Sequence, residues 1–470
     1  MSQKQFTLFG GMILGLFLTA CTSLQSSTNF EVNKYLPITQ IANTLENERN
    51  NSNSSITDEE EEIYLPLVTN SSATTTTGTG YNLFSSLGDT ATYLIDEDGE
   101  TVFTWSSAYR PGNAVYLLEN GNLLRTGNTN AANFNTGGVG GIVEEIDANS
   151  NVIWSYKHDT TQGRLHHDIE QLPNGNILML AWELKTGSES LAAGRNPNLL
   201  NDGELWPDTV IEVDPNTNSI VWEWHVWDHL VQDYDSSKAN YGVVADHPEL
   251  IDINYRGTGA KPGNADWNHM NAVDYNAEFD QILLSVRNFS EIWIIDHSAT
   301  MAEAASHSGG SSNMGGDLLY RWGNPQAYDS GSASDQQLFV QHDAQWIPDG
   351  YSGAGNILLF NNGVGRSDGD YSSIDEIAPP VDSDGNYSGY GLTAPEWTYT
   401  AVSPTDFYAA NISSAQRLPN GNTLICDGPS GYFFEVTDAG EMVWEYDHGN
   451  QAIFRVIRYE SDYAGLPSFN

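Results

Sequence analysis

Ile146-Asp147-Ala148-Asn149-Ser150-Asn151-Val152-Ile153-Trp154-Ser155-Tyr156 is an apolar–Asp pair, a polar turn and a β-type run closing on aromatic residues. Alone it predicts a hairpin. It recurs, however, from Ile95-Asp96 to Phe103-Thr104-Trp105 and from Val213-Asp214 to Trp222-Glu223-Trp224. A further copy runs from Ile295-Asp296 to Tyr320-Arg321-Trp322 across a longer insert, and weaker ones end at Glu396-Trp397-Thr398-Tyr399 and Trp444-Glu445-Tyr446, which makes six. A second signal lies between these copies: a strand, the turn Leu172-Pro173-Asn174-Gly175-Asn176, and an apolar strand. It returns at Leu118-Glu119-Asn120-Gly121-Asn122 and Leu418-Pro419-Asn420-Gly421-Asn422, with variants around Asn276 and Asp349.

Together the signals describe a four-stranded antiparallel unit of roughly 50–70 residues, repeated with insertions. Such a unit cannot bury both faces alone, whereas radial stacking covers them. The prediction is an all-β chain, a six-bladed β-propeller over residues 80–470. The second signal is visible in only five units because the first begins midway, near Tyr81. The run 452–459 is expected to supply the missing strand and close the ring. A β-sandwich of the same strands is the alternative, and the regular repeat weighs against it. No helical period appears.

Seven residues before Asn174, Asn276 and Asp349 lie His167, His269 and His342. The same slot holds Asn113 and Ser413 in two other units. Innermost strands line a propeller's channel, so equivalent slots form a ring at one depth, and the chain has only 11 histidines to place there. Antiparallel register around Glu278 then sets Arg287 beside His269. The matching positions elsewhere are Asn128, Trp182, Asn362 and Gly428, so this arginine is particular to its unit. Three imidazoles and a guanidinium at one channel mouth suit an oxyanion. Strand alternation turns His166, Asp168 and Asp343 to the other face, where they carry no chemistry, and puts Asn271 on the side of His269 as a binding residue. Three histidines can hold Zn²⁺, but the adjacent arginine disfavours it, so no metal and no cofactor is assigned. Walker, Rossmann, His-x-Glu-x-x-His and Cys-x-x-Cys patterns are absent.

The flanks speak of export. Lys4 precedes an apolar run from Phe6 to Ala20 that is too short to span a bilayer, and Leu18-Thr19-Ala20-Cys21 resembles a lipobox with Cys21 as the lipidated residue. Residues 1–21 are thus read as a lipoprotein signal and 22–79 as a flexible polar and acidic linker. The expected location is a bacterial membrane, anchored by lipid on its periplasmic or cell-surface face. Cys426 is then left without a disulfide partner. With 18 basic against 62 acidic residues the net charge is -44, which excludes nucleic acid as a partner. Any anion site must carry its own positive charge against that field.

His166-His167-Asp168, Asp266-Trp267-Asn268-His269-Met270-Asn271, Ser285-Val286-Arg287-Asn288 and Gln341-His342-Asp343 resemble the bacterial arylsulfate sulfotransferase family over residues 80–460. The resemblance implies a six-bladed propeller that moves a sulfuryl group from a phenolic sulfate to a phenolic acceptor without a nucleotide donor. It further implies a ping-pong course through a sulfated histidine, with His342 as nucleophile and Arg287, His269 and His167 holding the sulfuryl oxygens. Two features depart from the family pattern. Residues 22–79 are too polar for the N-terminal β-rich domain through which members dimerise, and a lone Cys426 cannot make the disulfide near the propeller's end. The oligomeric state therefore stays open. Loops 227–265, 323–339 and 401–412 should open on the histidine face, making Trp227, Tyr241, Tyr255, Phe407 and Tyr408 candidates to stack an aryl substrate, Tyr255 and Tyr408 foremost. A surface propeller that only binds a sulfated glycan or another anion is the competing class. A quinone-dependent dehydrogenase, a third class, would show more blades and Trp-docking repeats.

Overall fold

A computed structural model describes residues 78–257, 264–391 and 393–468. Cys21, the predicted signal and the linker up to residue 77 lie outside them. Six four-stranded antiparallel sheets form a six-bladed propeller, and two further two-stranded sheets lie outside them among the described residues. Blade 1 combines Ile453–Tyr459 with Tyr81–Ser86, Ala91–Ile95 and Thr101–Ser106. The other inner strands are Arg110–Leu117, Gly163–Gln171, Met270–Asn276, His342–Trp346 and Ser414–Arg417, for blades 2 to 6 in order. Each inner strand touches the next around the whole ring. Closure is by the expected C-terminal strand, with Tyr81 opposite Tyr459 and Leu83 opposite Ile457.

Alternation along the strands distributes the core. Leu178 and Leu180 of blade 3 face blade 4, while Ile177, Met179 and Ala181 face blade 2. The buried apolar side chains accordingly fall into six clusters, one at each blade interface. The closing aromatic residues of the repeat serve as latches. Trp154 Nε1 donates to Asn218 Oδ1 (2.7 Å), Trp397 Nε1 to Asp438 O (2.9 Å) and Trp444 Nε1 to Glu97 O (2.7 Å), in each case reaching the outer turn of the next blade. The Asp of the repeat caps its own turn, as where Asp147 Oδ1 accepts the Asn149 and Asn151 N–H groups at 2.8 Å.

Two short helices, Gly187–Ala192 and Met301–Ala304, and several 3₁₀ turns sit in the inserts. Among the described residues no helix is long and apolar enough to cross a membrane. Bulges interrupt the inner strands where they begin, between Leu165 and Ile169, Met270 and Ala272, and His342 and Gln345. They re-aim the side chains at the channel mouth.

Candidate active site

His167, His269, Arg287 and His342 border one cavity of about 580 Å³ at that mouth. The bulges put His167 at φ 49° and His269 at φ 54°. Non-glycine residues in this left-handed region cost about 1–3 kcal/mol each and cluster where function demands them. The two rings meet edge to face with centroids 4.6 Å apart. Arg287 starts the turn after the strand Gln281–Val286, and its backbone N–H donates to His269 O (3.3 Å), the register expected from the sequence.

Each imidazole meets a neighbouring side chain, and one of these, Asp266, itself stands in the cavity wall. His342 Nδ1 lies 2.7 Å from Asn362 Oδ1, and Asn362 Nδ2 donates to Ala409 O (2.8 Å) and Ile412 O (3.0 Å). Those two carbonyls fix which end of the amide is nitrogen, so Oδ1 accepts, Nδ1 carries the proton, and the lone pair of the neutral ring resides on Nε2. His269 Nδ1 lies 2.5 Å from Asp266 Oδ2, whose carboxylate also accepts from Thr136 Oγ1 (3.0 Å) and Trp182 Nε1 (3.1 Å). His166 Nε2 lies 3.0 Å from Asp208 Oδ1, within ion-pair distance but without the alignment of a hydrogen bond. Its Nδ1 lies 2.9 Å from His167 Nδ1, so that one of the two rings donates to the other.

Electrostatics agree with a neutral His342 ring. Burial, and then the positive charge of Arg287, holds the His342 imidazole well below its ordinary pKa. Burial, with His269 and His166 next, does the same for His167. Burial pushes the Asp266 carboxyl up, but His269 and Thr136 outweigh it and the net shift is downward. Burial also lowers Arg287, with Asp266 opposing. Two neutral imidazoles, an Asp–His pair and one guanidinium make a cavity for an anion and a poor one for a cation.

The remaining sequence candidates lie elsewhere. Asn271, expected beside His269, is buried and donates through Nδ2 to Gln341 O (2.7 Å), because the bulge after Met270 breaks the alternation that would have turned it to the cavity. Tyr255 packs on Phe289 and its hydroxyl accepts from Asn324 Nδ2 (2.5 Å). Tyr408 is exposed at the rim, its hydroxyl 3.4 Å from Asp370. None of these three, nor Trp227, Tyr241 or Phe407, borders the cavity; its described apolar wall is Leu87, Ile412, Pro429 and Ala452. Asp168 and Asp343 do face away, and Arg455 of the closing strand pairs with both. Asp266, Asn362 and Asp208 were missed in the sequence. The first stood inside a quoted motif and the second at the position matching Arg287, but neither carried a spacing signal.

Comparison with known proteins is now informative. A family model described as arylsulfotransferase (ASST) matches residues 56–469. The chain belongs to the arylsulfotransferase family. A curated relative of this arylsulfotransferase-family chain is the arylsulfate sulfotransferase AssT of Escherichia coli O6:H1, 23% identical over 380 residues. That match takes in 73% of this chain and 58% of the relative, so the chain spans under two thirds of the relative's length. Among solved structures, a Bacteroides caccae protein of unknown function aligns over 81% of this chain and 98% of its own at 11% identity, with a TM-score of 0.45. Virginiamycin B lyase from Staphylococcus aureus aligns over 79% and 86% at 10% identity, with a TM-score of 0.37. At such scores neither likeness bears on the arylsulfotransferase-family site.

Proposed function

We propose that the chain is an arylsulfate sulfotransferase, moving a sulfuryl group from a phenolic sulfate to a phenolic acceptor in two displacements through a sulfated His342. One observation carries this: Asn362 pins the His342 proton on Nδ1, leaving a neutral Nε2 lone pair on a ring that borders the cavity with Arg287. In the first displacement Nε2 attacks sulfur as the sulfur–phenol oxygen bond breaks. Arg287 meets the sulfuryl oxygens with its planar donor fork. His269, backed by Asp266, passes a proton to the departing phenolate. In the second the acceptor hydroxyl gives that proton back to His269 as its oxygen attacks sulfur and the nitrogen–sulfur bond breaks. The apolar wall of Leu87, Ile412 and Pro429 offers the aryl ring its place, in preference to the loop tyrosines.

The test is a phenol-release assay with a chromogenic aryl sulfate and phenol as acceptor, paired with ³⁵S-labelling of the protein and peptide sequencing under alkaline conditions. His342→Ala should abolish both phenol release and label while leaving β-type circular dichroism intact. Anion binding without phenol release in the unaltered protein would instead support the binding-only propeller. Label on another residue would remove His342 from its role.

A further inference from the structure

One side-chain cluster stands apart from the cavity. His229 follows the outer strand Ser219–His225 of blade 3, and His307 and Asp317 stand at the neck of the 297–319 insert of blade 4. The neck is tied by the Gly316 N–H donating to Ser306 O (3.0 Å). The insert is fastened to the neighbouring blade by Trp222 Nε1 donating to Ala299 O (2.8 Å) and Trp224 Nε1 to Gly316 O (2.7 Å). Asp317 Oδ1 lies 2.8 Å from His229 Nδ1 and 2.7 Å from His307 Nδ1. The three residues can present ligand atoms that all lie within 4.8 Å of one another.

The protons decide what this cluster is for. His229 Nε2 lies 2.9 Å from Ala304 O, and a carbonyl only accepts, so that nitrogen holds the hydrogen. In the neutral ring the Nδ1 lone pair then points at a carboxylate oxygen, and two lone pairs so close repel. A proton on Nδ1 or a shared metal cation removes the conflict. A ring whose one N–H is held by a backbone carbonyl keeps its other nitrogen aimed for a metal, as metal-binding histidines are held. His229 has no freedom to turn away: it is buried, lies parallel to Trp224 with centroids 5.6 Å apart, and a Cβ on Gly316 would come within 2.6 Å of its Nε2. His307 is 60% exposed and leaves one side open to solvent. Two imidazoles, a carboxylate and an open position form a nitrogen–oxygen set suited to Zn²⁺, whereas Ca²⁺ and Mg²⁺ want oxygen shells.

We infer that His229, His307 and Asp317 bind a divalent transition-metal ion of the Zn²⁺ class, which clamps the blade 4 insert to blade 3. This is independent of the sulfuryl-transfer reading. The full chain, stripped with chelator, would be titrated with Zn²⁺ by calorimetry and with Co²⁺ by visible absorption. His307→Ala, at an exposed position where folding is safe, and Asp317→Asn should weaken one equivalent on the order of a hundredfold, no less than loss of an outer partner costs. His269→Ala, in the anion cavity, should leave that equivalent in place. Zn²⁺ should raise the melting temperature of the parent protein and not that of His307→Ala. No stoichiometric uptake, or uptake that His307→Ala leaves unchanged, would overturn the site and leave two histidine–carboxylate pairs.

Discussion

At the scale of the residue, the proposed chemistry depends on which ring nitrogen holds hydrogen, and for His342 and His269 the neighbouring Asn362 and Asp266 make that choice. A consequence is a displaced acid limb. His342 sits well below its ordinary value because of burial and Arg287, so the neutral form that the proposed attack needs persists as pH drops below about 6.5. In kcat/KM against pH, the acid limb should therefore fall below that point, and Arg287→Met should move it upward while lowering turnover on the order of 10²–10³. Asn362→Leu should lower kcat more than it raises KM, since it frees the ring to adopt the other tautomer. An acid limb unmoved in Arg287→Met would separate the guanidinium from His342. The same shift bears on stability. With the folded value lowered, the unfolded chain takes up the proton first as pH falls, so His342 and His167 contribute fully above about 6.5 and less as pH drops through their folded values.

At the scale of the element, the inner strand and the loop that caps it do the positioning. Spacing within the repeat was enough to find His167, His269 and His342, because equivalent slots in a propeller share a depth. It was not enough for Asn271, because one extra residue in a bulge cancels the period of two on which the reading rested. Nor did it reveal Asn362 or Asp208, whose roles arise from contacts with single side chains and leave no periodic trace. The loop 134–140 carries no repeat spacing that would have drawn notice to it. Yet Gly138, at φ 78°, accepts the His167 N–H at 2.8 Å, and a Cβ there would lie 1.9 Å from the His167 ring. Gly138→Ala must displace either loop or ring. It should cost on the order of tenfold to a hundredfold in turnover, as for a misplacement of about 1 Å, with a stability loss of about 1 kcal/mol. Unaltered turnover, measured beside thermal unfolding, would mean that His167 need not be held so closely.

At the scale of the whole molecule, ring closure is the shared dependency. The strand Ile453–Tyr459 supplies blade 1 with its inner edge and brings Arg455 to Asp168 and Asp343, which lie just beyond His167 and His342. A chain ending at residue 452 would leave Phe84 uncovered and two buried carboxylates without their cation, at about 3–5 kcal/mol for a broken buried pair. Calorimetry should show its cooperative transition lost, whereas a chain ending at residue 459 should keep it. A sharp transition at the parent temperature in the shorter chain would show that six blades hold without closure. Closure and the number of blades were readable beforehand because each repeats or completes a repeat, whereas the aromatic residues recurred visibly without disclosing that they latch.

That seam also sets a timetable. Any machine that delivers the polypeptide from its N-terminus, a ribosome or a membrane pore, releases residues 453–459 after all the other propeller strands, while their partner strand Tyr81–Ser86 emerges among the first of the domain. Blades 2 to 6 have their neighbours in order of appearance, but blade 1 must wait, three strands wide with an unpaired edge, until blade 6 has been delivered. During that interval the molecule is a partial ring with two sticky ends, and the anion cavity, whose wall includes Leu87 and Ala452 from either side of the seam, does not yet exist. The complete cavity would therefore arrive in one step, when the seam closes.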